Sequence, residues 1–474
     1  MLHLQLPLTV WAGCVAIDIL PNDVLLIIFY FDGLKNVDPS SWHRLVHVCR
    51  RWRSVVFASP NFLNLELICD PRTHVELIDI WPPFPIIIKH TGRIGLPIPD
   101  DYDFYVVIVH RSRVRDIDLC LSSSWHILRL ASAMQEPFPV LKHLKLDSVF
   151  NVQALPDGFL GGSAPRLQSL RLTSIPFPAL PKLLLSANDL VRLTLLNISH
   201  SGYISPQAIV TGLAKSVNLK FLTIQFQSFQ SHPDPERQHP PLPIGSIPAV
   251  LSSLTSFEFQ GVTEYLEDLV ARIDAPLLDS VCIHLFNDQI FDFSQLGRFM
   301  GHTARFQKLN QARVAFDYED VKVKFLPSTR ILDVRSELGI SREFSEWEMI
   351  SSLARALTSF LPSVHTVEHL YISFPGAYLP DFLKSVQWLE LFRPFTAVRN
   401  LYLCKGIGQC IVPAMQVLIG RSVAGVLPAL ERIFLEVGPS GPDEDTVGHL
   451  VAARQLSGHP VAVSHWDRTL ETFT

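Results

Sequence analysis

Over most of the chain, apolar residues recur in one spacing, apolar-x-x-apolar-x-apolar, whose last two members point to the same side of an extended strand. The pattern occurs at Val114-Ile117-Leu119, Leu141-Leu144-Leu146, Leu167-Leu170-Leu172, Leu190-Leu193-Leu195, Leu219-Leu222-Ile224, Leu254-Phe257-Phe259 and Leu278-Val281-Ile283. It returns at Val367-Leu370-Ile372, Val398-Leu401-Leu403 and Leu430-Ile433-Leu435, and Phe62-Leu65-Leu67 reads as its first member. Successive starts from Val114 to Leu278 lie 27, 26, 23, 29, 35 and 24 residues apart, and the last two intervals are 31 and 32. A near-constant period in this range is the mark of stacked units, each giving one strand and a returning segment. The gap of 89 residues between Leu278 and Val367 has room for two weaker units, near Leu309 and Leu332.

The returning segments carry helical spacing. Tyr265, Leu266, Leu269, Val270 and Ile273 share one helical face, as do Ile350, Leu353, Leu357 and Phe360-Leu361. Proline then stops the helix and extends the chain just ahead of several strands, at Phe138-Pro139, Ala164-Pro165, Ala275-Pro276 and Leu427-Pro428. The 35-residue interval contains Ser231–Pro248, with six prolines, which reads as a loop inserted between units. Asp443–Leu456 and Pro460-Val461-Ala462-Val463 read as a closing helix and strand, with Asp443, Glu444 and Asp445 favouring the helix start.

The first sixty residues obey a different pattern. After Pro21, Asn22 and Asp23 supply acceptors for the free amides of a helix start, and Leu25, Ile28 and Phe29 follow at i, i+3 and i+4. A turn-rich break from Asp32 to Ser41 precedes a second run, Trp42 to Arg53, in which Leu45, Val48, Cys49 and Trp52 share a face opposite Arg44, His47 and Arg51. A unit this small rarely buries enough surface to stand alone. Its apolar face is covered either by the rest of the chain or by a second molecule.

Of the 474 residues 48% are apolar and 18% charged, which excludes wholesale disorder. The net charge of −5 gives no general attraction to phosphate backbones or anionic lipid, so neither nucleic acid nor membrane is an expected partner. Seven scattered cysteines with no Cys-x-x-Cys read as reduced core residues of an intracellular protein, cytoplasmic or nuclear. The apolar start lacks a basic residue before its run and is interrupted by Pro7, so residues 1–16 read as a loose extension rather than a leader.

In order and spacing, Leu20-Pro21, Leu25, Ile28-Phe29, Leu45-x-x-Val48-Cys49-Arg50-Arg51-Trp52-Arg53 and Ser59-Pro60 resemble the F-box, and the longer inter-helix turn with Trp42 looks like its fungal branch. The resemblance implies a helical module over residues 17–61 that docks on a Skp-family adaptor and thereby on a cullin–RING ubiquitin ligase. Leu20, Pro21, Leu25, Ile28, Phe29, Val48, Cys49 and Trp52 would form or support that surface, and Leu25→Asp with Trp52→Ala is the lesion expected to abolish docking. Residues 62–442 resemble the leucine-rich-repeat superfamily, with Val149, Ile175, Ile198 and Val262 where that family usually places Asn or Cys. The implied fold class is α/β: a short all-α F-box module, then an irregular leucine-rich-repeat solenoid, a horseshoe with parallel strands on its concave face, closed by residues 443–474. Its strand positions facing outward, His143, Lys145, Arg171, Thr194, Thr223, Glu258, Tyr371, Tyr402 and Phe434, are the candidates for binding a protein target.

Catalytic motifs are missing: no G-x-S-x-G, P-loop, H-E-x-x-H or zinc framework occurs. Gly406-Ile407-Gly408 lacks the third glycine of a dinucleotide loop, Cys404 and Cys410 read as packing residues, and Asn197-Ile198-Ser199 is a chance-level glycosylation pattern. The reading is a non-catalytic substrate adaptor without cofactor or metal. Two rivals stay open: an F-box scaffold acting outside a ligase, and, more remotely, an enzyme built on the repeat region.

Overall fold

The computed structural model describes residues 17–35, 42–69, 78–89, 109–121, 123–150, 152–232, 248–286, 293–303, 309–316, 320–327, 335–341, 364–373, 385–404, 426–436 and 444–466, with Phe306, Ala354, Leu357, Ile411 and Met415. The extension 1–16, the Pro-rich segment 233–247, Leu332, Cys410, Gly406-Ile407-Gly408 and most of the predicted helix around Ile350–Leu361 lie outside the described residues.

The protein is a mixed α/β molecule with short N-terminal helices and a large, predominantly parallel sheet. The helices are α1 (Asn22–Lys35), α2 (Trp42–Val46) and α3 (Arg50–Ala58). Strands then follow in chain order: β1 (Leu67–Cys69), β2 (Ile86–Lys89), β3 (Val114–Leu121), β4 (His143–Ser148), β5 (Ser169–Thr173), β6 (Arg192–Ile198), β7 (Phe221–Phe226), β8 (Ala249–Val250), β9 (Ser256–Gly261), β10 (Ile273–Asp274), β11 (Ser280–Leu285), β12 (Leu309–Phe316), β13 (Asp320–Pro327), β14 (Arg335–Ser341), β15 (His369–Ser373), β16 (Asn400–Leu403), β17 (Arg432–Glu436) and β18 (Ala462–Trp466). Between strands lie α4 (Ser124–Ala133), α5 (Leu180–Leu184), α6 (Pro206–Leu213), α7 (Thr263–Val270), α8 (Ser294–Gly301), α9 (Ser385–Phe392) and α10 (Glu444–Leu456). Among the described residues, sixteen strands form one sheet in the order β1-β2-β3-β4-β5-β6-β7-β9-β11-β14-β13-β12-β15-β16-β17-β18, while β8 and β10 pair separately.

The repeated spacing has a direct physical meaning. Ile117, Leu144, Leu170, Leu193, Leu222, Phe257 and Val281 pair in register from strand to strand, as do Leu119, Leu146, Leu172, Leu195, Ile224, Phe259 and Ile283. All of them are buried, forming two continuous apolar rows in one core, each side chain worth roughly 1.5–3 kcal/mol of burial. The leading leucines close tight turns: Leu141 N–H donates to the Phe138 carbonyl (3.3 Å), Leu167 to Ala164 (3.1 Å), Leu278 to Ala275 (3.2 Å) and Leu430 to Leu427 (3.1 Å). One carbonyl then accepts two amides from the next unit, as Gln168 O does from Val191 (2.8 Å) and Arg192 (3.0 Å), and Lys220 O from Thr255 and Ser256 (3.0 Å each). This double acceptance repeats at Lys142, Val191, Thr255, Glu368 and Arg399, fixing the register and hence the spacing.

Three sequence expectations need correction. The run Trp42–Arg53 is two helices, because the chain leaves helical conformation before Cys49, an extended residue whose Sγ accepts the Trp52 N–H at 3.4 Å and starts α3. Phe62-Leu65-Leu67 is out of register: Leu67 pairs with Ile86, which pairs with Val114, so Leu67 takes the leading position, and the unforeseen β2 lies between. The segment after β11 holds one of the two expected units: near Leu309, β12 carries Leu309-Ala312-Val314 and pairs parallel with β15, Ala312 with Leu370 and Val314 with Ile372, while Leu332 lies outside the described residues. β13 and β14 form an antiparallel excursion inserted in reversed order, so that β14 pairs with β11 and β13 lies between β14 and β12; the only antiparallel pairings of the described sheet are those of β13. Its sequence explains why: in Val321-Lys322-Val323-Lys324-Phe325 the apolar residues alternate strictly, the period of a strand with one buried face, and they are buried.

Candidate docking surfaces

The N-terminal helices are held by a few specific contacts. Leu25 N–H donates to the Pro21 carbonyl (3.1 Å), opening α1, and Asp23 sits in its first turn. Arg51 of α3 reaches back to that start, donating through Nε to Asn22 Oδ1 (3.0 Å) and through Nη2 to the same oxygen (2.9 Å) and to the Leu20 carbonyl. Arg53 Nε donates to Val46 O (3.0 Å), satisfying the end of α2. Two of the arginines in Arg50-Arg51-Trp52-Arg53 therefore brace the module. Trp42 joins it to the sheet: its Nε1 donates to Glu66 O (3.1 Å), and its ring meets Trp81 and Phe84 edge-on at 5.3 and 5.5 Å.

α1 is apolar all round, and only one side of it is used internally. Leu25 is 0% and Phe29 2% exposed, with Phe29 against the Trp52 ring at 4.7 Å. Val24, Ile27, Ile28 and Phe31, spaced i, i+3, i+4 and i+7, form a second stripe that faces water, Phe31 at 56% exposure. Ile17 and Ile19, in the 3-10 turn ahead of α1, are exposed too, and so is Val48 at the break between α2 and α3. An apolar stripe left in water at helical spacing marks an interaction site. Of the eight residues chosen from sequence, Pro21, Ile28 and Val48 are exposed, Leu20, Cys49 and Trp52 are half-buried, and Leu25 and Phe29 are core. Leu25→Asp would place a carboxylate in that core, so it tests folding rather than docking. Val24, Ile27 and Phe31 were missed, although their spacing in the sequence carried the signal.

The sheet's open face, opposite the buried rows, brings eight of the nine target-binding candidates into one row. Asp118, Lys145, Arg171, Thr194, Thr223, Glu258 and Cys282 pair successively, and beyond the excursion Arg313, Tyr371, Tyr402, Phe434 and Ser464 continue the line. His143 belongs to the neighbouring row, between Asp116 and Ser169. The two ends of the row differ in character.

At the N-terminal end the charges are paired with each other. Lys145 Nζ lies 2.9 Å from Asp118 and 3.4 Å from Asp147, and Arg171 Nε lies 3.4 Å from Asp147. Burial alone would lower the Lys145 pKa, but hydrogen bonds and charge from Asp118 and Asp147 outweigh it and raise the ammonium above its usual value. Arg115 behaves alike between Glu66 (2.5 Å) and Asp116 (2.9 Å). Further along, Glu258 accepts from Thr223 Oγ1 (3.4 Å) and Gln225 Nε2 (2.8 Å), and Thr194 is only 9% exposed.

At the C-terminal end the row becomes a stack. The Arg313 guanidinium lies 5.2 Å from the Tyr371 ring centre, Tyr371 stacks on Tyr402 at 4.1 Å with planes 9° apart, and Tyr402 stacks on Phe434 at 4.5 Å and 7°. Trp466 of β18 leans across, edge-on to Tyr402 (5.6 Å) and Tyr371 (6.2 Å), its Nε1 donating to Leu403 O at 3.5 Å. Arg313 and Trp466 were missed by the sequence reading; Arg313 is the outward position of Leu309-Ala312-Val314, whose register is obscured by the excursion.

Two other features bear on chemistry. Cys282 Sγ and His284 Nε2 meet at 3.3 Å on one side of β11. Among the described residues no group of three or more His, Cys, Asp or Glu is arranged to hold a metal ion, and no helix is long and apolar enough to cross a membrane.

Compared with protein-family models, residues 17–60 match the F-box-like family, and no curated protein matches the chain. The module of α1, α2 and α3 is thus an F-box-like domain, a protein-interaction module. F-box domains generally bind Skp-family adaptors and are typically non-catalytic.

Proposed function

We propose that this protein is the substrate-recognition subunit of an SCF-type ubiquitin ligase. The F-box-like module, of the fungal type, docks on a Skp-family adaptor, and the sheet, read as a degenerate leucine-rich-repeat solenoid, binds a target protein for ubiquitin-dependent degradation in the cytoplasm or nucleus. The observation that carries the reading is the apolar stripe Val24, Ile27, Ile28 and Phe31, left in water on the side of α1 opposite its own core. Such a stripe is stabilised by a partner's apolar groove at about 25 cal/mol per Å² of surface buried. Leu25, Phe29 and Trp52 support it from behind, with Leu20, Pro21, Val48 and Cys49 at the approaches to α1 and α3. The protein then performs no bond chemistry. Holding a target beside a ubiquitin-charged enzyme makes the transfer to a lysine effectively intramolecular, raising the local concentration to roughly the millimolar range for a short tether.

The test is affinity capture of the full chain from cells, followed by ubiquitylation of what it retains. The ligase reading expects the adaptor and a cullin together, with a retained protein that gains ubiquitin on the wild-type chain. Capture of the adaptor without a cullin, and with no change in any retained protein's ubiquitylation, assigns the chain to scaffolding instead.

A further inference from the structure

The closing unit, α10 and β18, is held differently from the units it closes. Each of the three strands before it buries two apolar side chains: Leu370 and Ile372 on β15, Leu401 and Leu403 on β16, Ile433 and Leu435 on β17. β18 buries none, since Ala462 to Trp466 are all exposed or half-buried. Among the described residues it is the last strand of the sheet and pairs only with β17. Of the described side chains in this unit, the apolar ones that reach the core are Leu450 on α10 and Val461 just ahead of β18.

The third buried side chain of the unit is a cation. Arg454, in the last turn of α10, is 3% exposed. Its Nη2 donates to the Leu427 carbonyl at 3.2 Å, tying α10 to the turn that precedes β17, while its Nε is buried without a hydrogen-bond partner. No carboxylate among the described residues pairs with the guanidinium, and burial lowers its pKa. The carbonyl end of the helix offsets part of the cost of burying this charge. The remainder is returned to the molecule when the unit lifts away and the guanidinium meets water. Elements with little apolar burial and an edge position open first, ahead of the rest of a structure.

What the closed unit covers is part of the open row. Trp466 reaches from β18 over β16 and β15, edge-on to Tyr402 at 5.6 Å and Tyr371 at 6.2 Å, and its Nε1 donates to Leu403 O at 3.5 Å. These are the two tyrosines that stack on each other at 4.1 Å.

We propose that α10 and β18 form a strap that opens as one unit while the rest of the sheet stays paired, and that closing it sets Trp466 over the Tyr371–Tyr402 stack. The opening stands apart from the function proposed above. Its use, controlling access to a row read as target-binding, rests on that reading.

Hydrogen exchange of the full chain, read by mass spectrometry, tests the opening. Amides of α10 and β18 should exchange at a common rate, roughly a hundredfold or more faster than those of β15 and β16. Arg454→Met, which keeps an unbranched side chain and removes the buried charge, should slow exchange of the strap about tenfold. Trp466→Ala should speed it severalfold. Nitration by tetranitromethane reads the covering: Tyr371 and Tyr402 should react more slowly than wild type in Arg454→Met and faster in Trp466→Ala, with Tyr30 on α1 unchanged as the internal reference. Strap amides as slow as those of β15 and β16, faster exchange in Arg454→Met, or wild-type nitration of both tyrosines in both variants would each overturn the proposal. Neither measurement involves the adaptor or a target, so a wild-type chain that fails to capture the Skp-family adaptor counts against the functional reading alone.

Discussion

Ile28 and Phe29 are neighbours on α1 with different surroundings: Phe29 is 2% exposed and lies against Trp52, whereas Ile28 is 41% exposed. One helix thereby holds the module together with one side and offers the other. Truncating Phe29→Ala removes a ring from a packed site and should cost about 3–5 kcal/mol of module stability. Ile28→Ala, at a water-facing position, should stay within about 0.5 kcal/mol. Hydrogen exchange of the α3 amides checks both: exchange accelerates strongly in the first variant and is unchanged in the second.

Acid should loosen the start of β3 through His110. Burial holds this imidazole below its ordinary pKa, opposed by the Asp79 carboxylate 3.7 Å away and reinforced by Arg113. A histidine lowered in the folded state takes up its proton more readily when unfolded. Its contribution is therefore complete above the unfolded value of about 6.5 and is lost as pH falls toward and through the lower folded value. The His110 carbonyl accepts the Arg113 and Val114 amides at the start of β3, so exchange of β3 amides should speed up between pH 7 and pH 5. His110→Gln should flatten that dependence; an unaltered slope in the variant would assign the acid sensitivity to other groups.

Much of this architecture was legible because burial and register are periodic. The strands from Val114 to Ile283 stand where the apolar spacing placed them, since each leading leucine closes the same turn and each carbonyl accepts the same pair of amides. The excursion of β13 and β14 was not legible, because β13 keeps a strand's alternation but discards the repeat's spacing, and Val321 to Phe325 shows only the former. At the N-terminus the residues of the F-box-like module were found, but their division between core and surface was not. Val24, Ile27, Ile28 and Phe31 are spaced as one face of a helix, but Leu25 and Phe29 are spaced as another, and it is the packing of Phe29 on Trp52 that makes the second face the core. The open-face row was legible as a row. Its division into a self-paired charged end and a stacked aromatic end depends on which side chains meet across strands.

The central claim is that the water-facing stripe of α1 is the adaptor's seat. Calorimetric titration of a purified Skp-family adaptor into the full chain and into its Ile27→Asp, Phe31→Asp double variant tests it most directly, with hydrogen exchange confirming that α3 stays protected. The expected result is tight binding by wild type and a loss of roughly a hundredfold or more in the variant, two charges having been set into an apolar contact. Equal affinity in a variant whose α3 remains folded would contradict the claim.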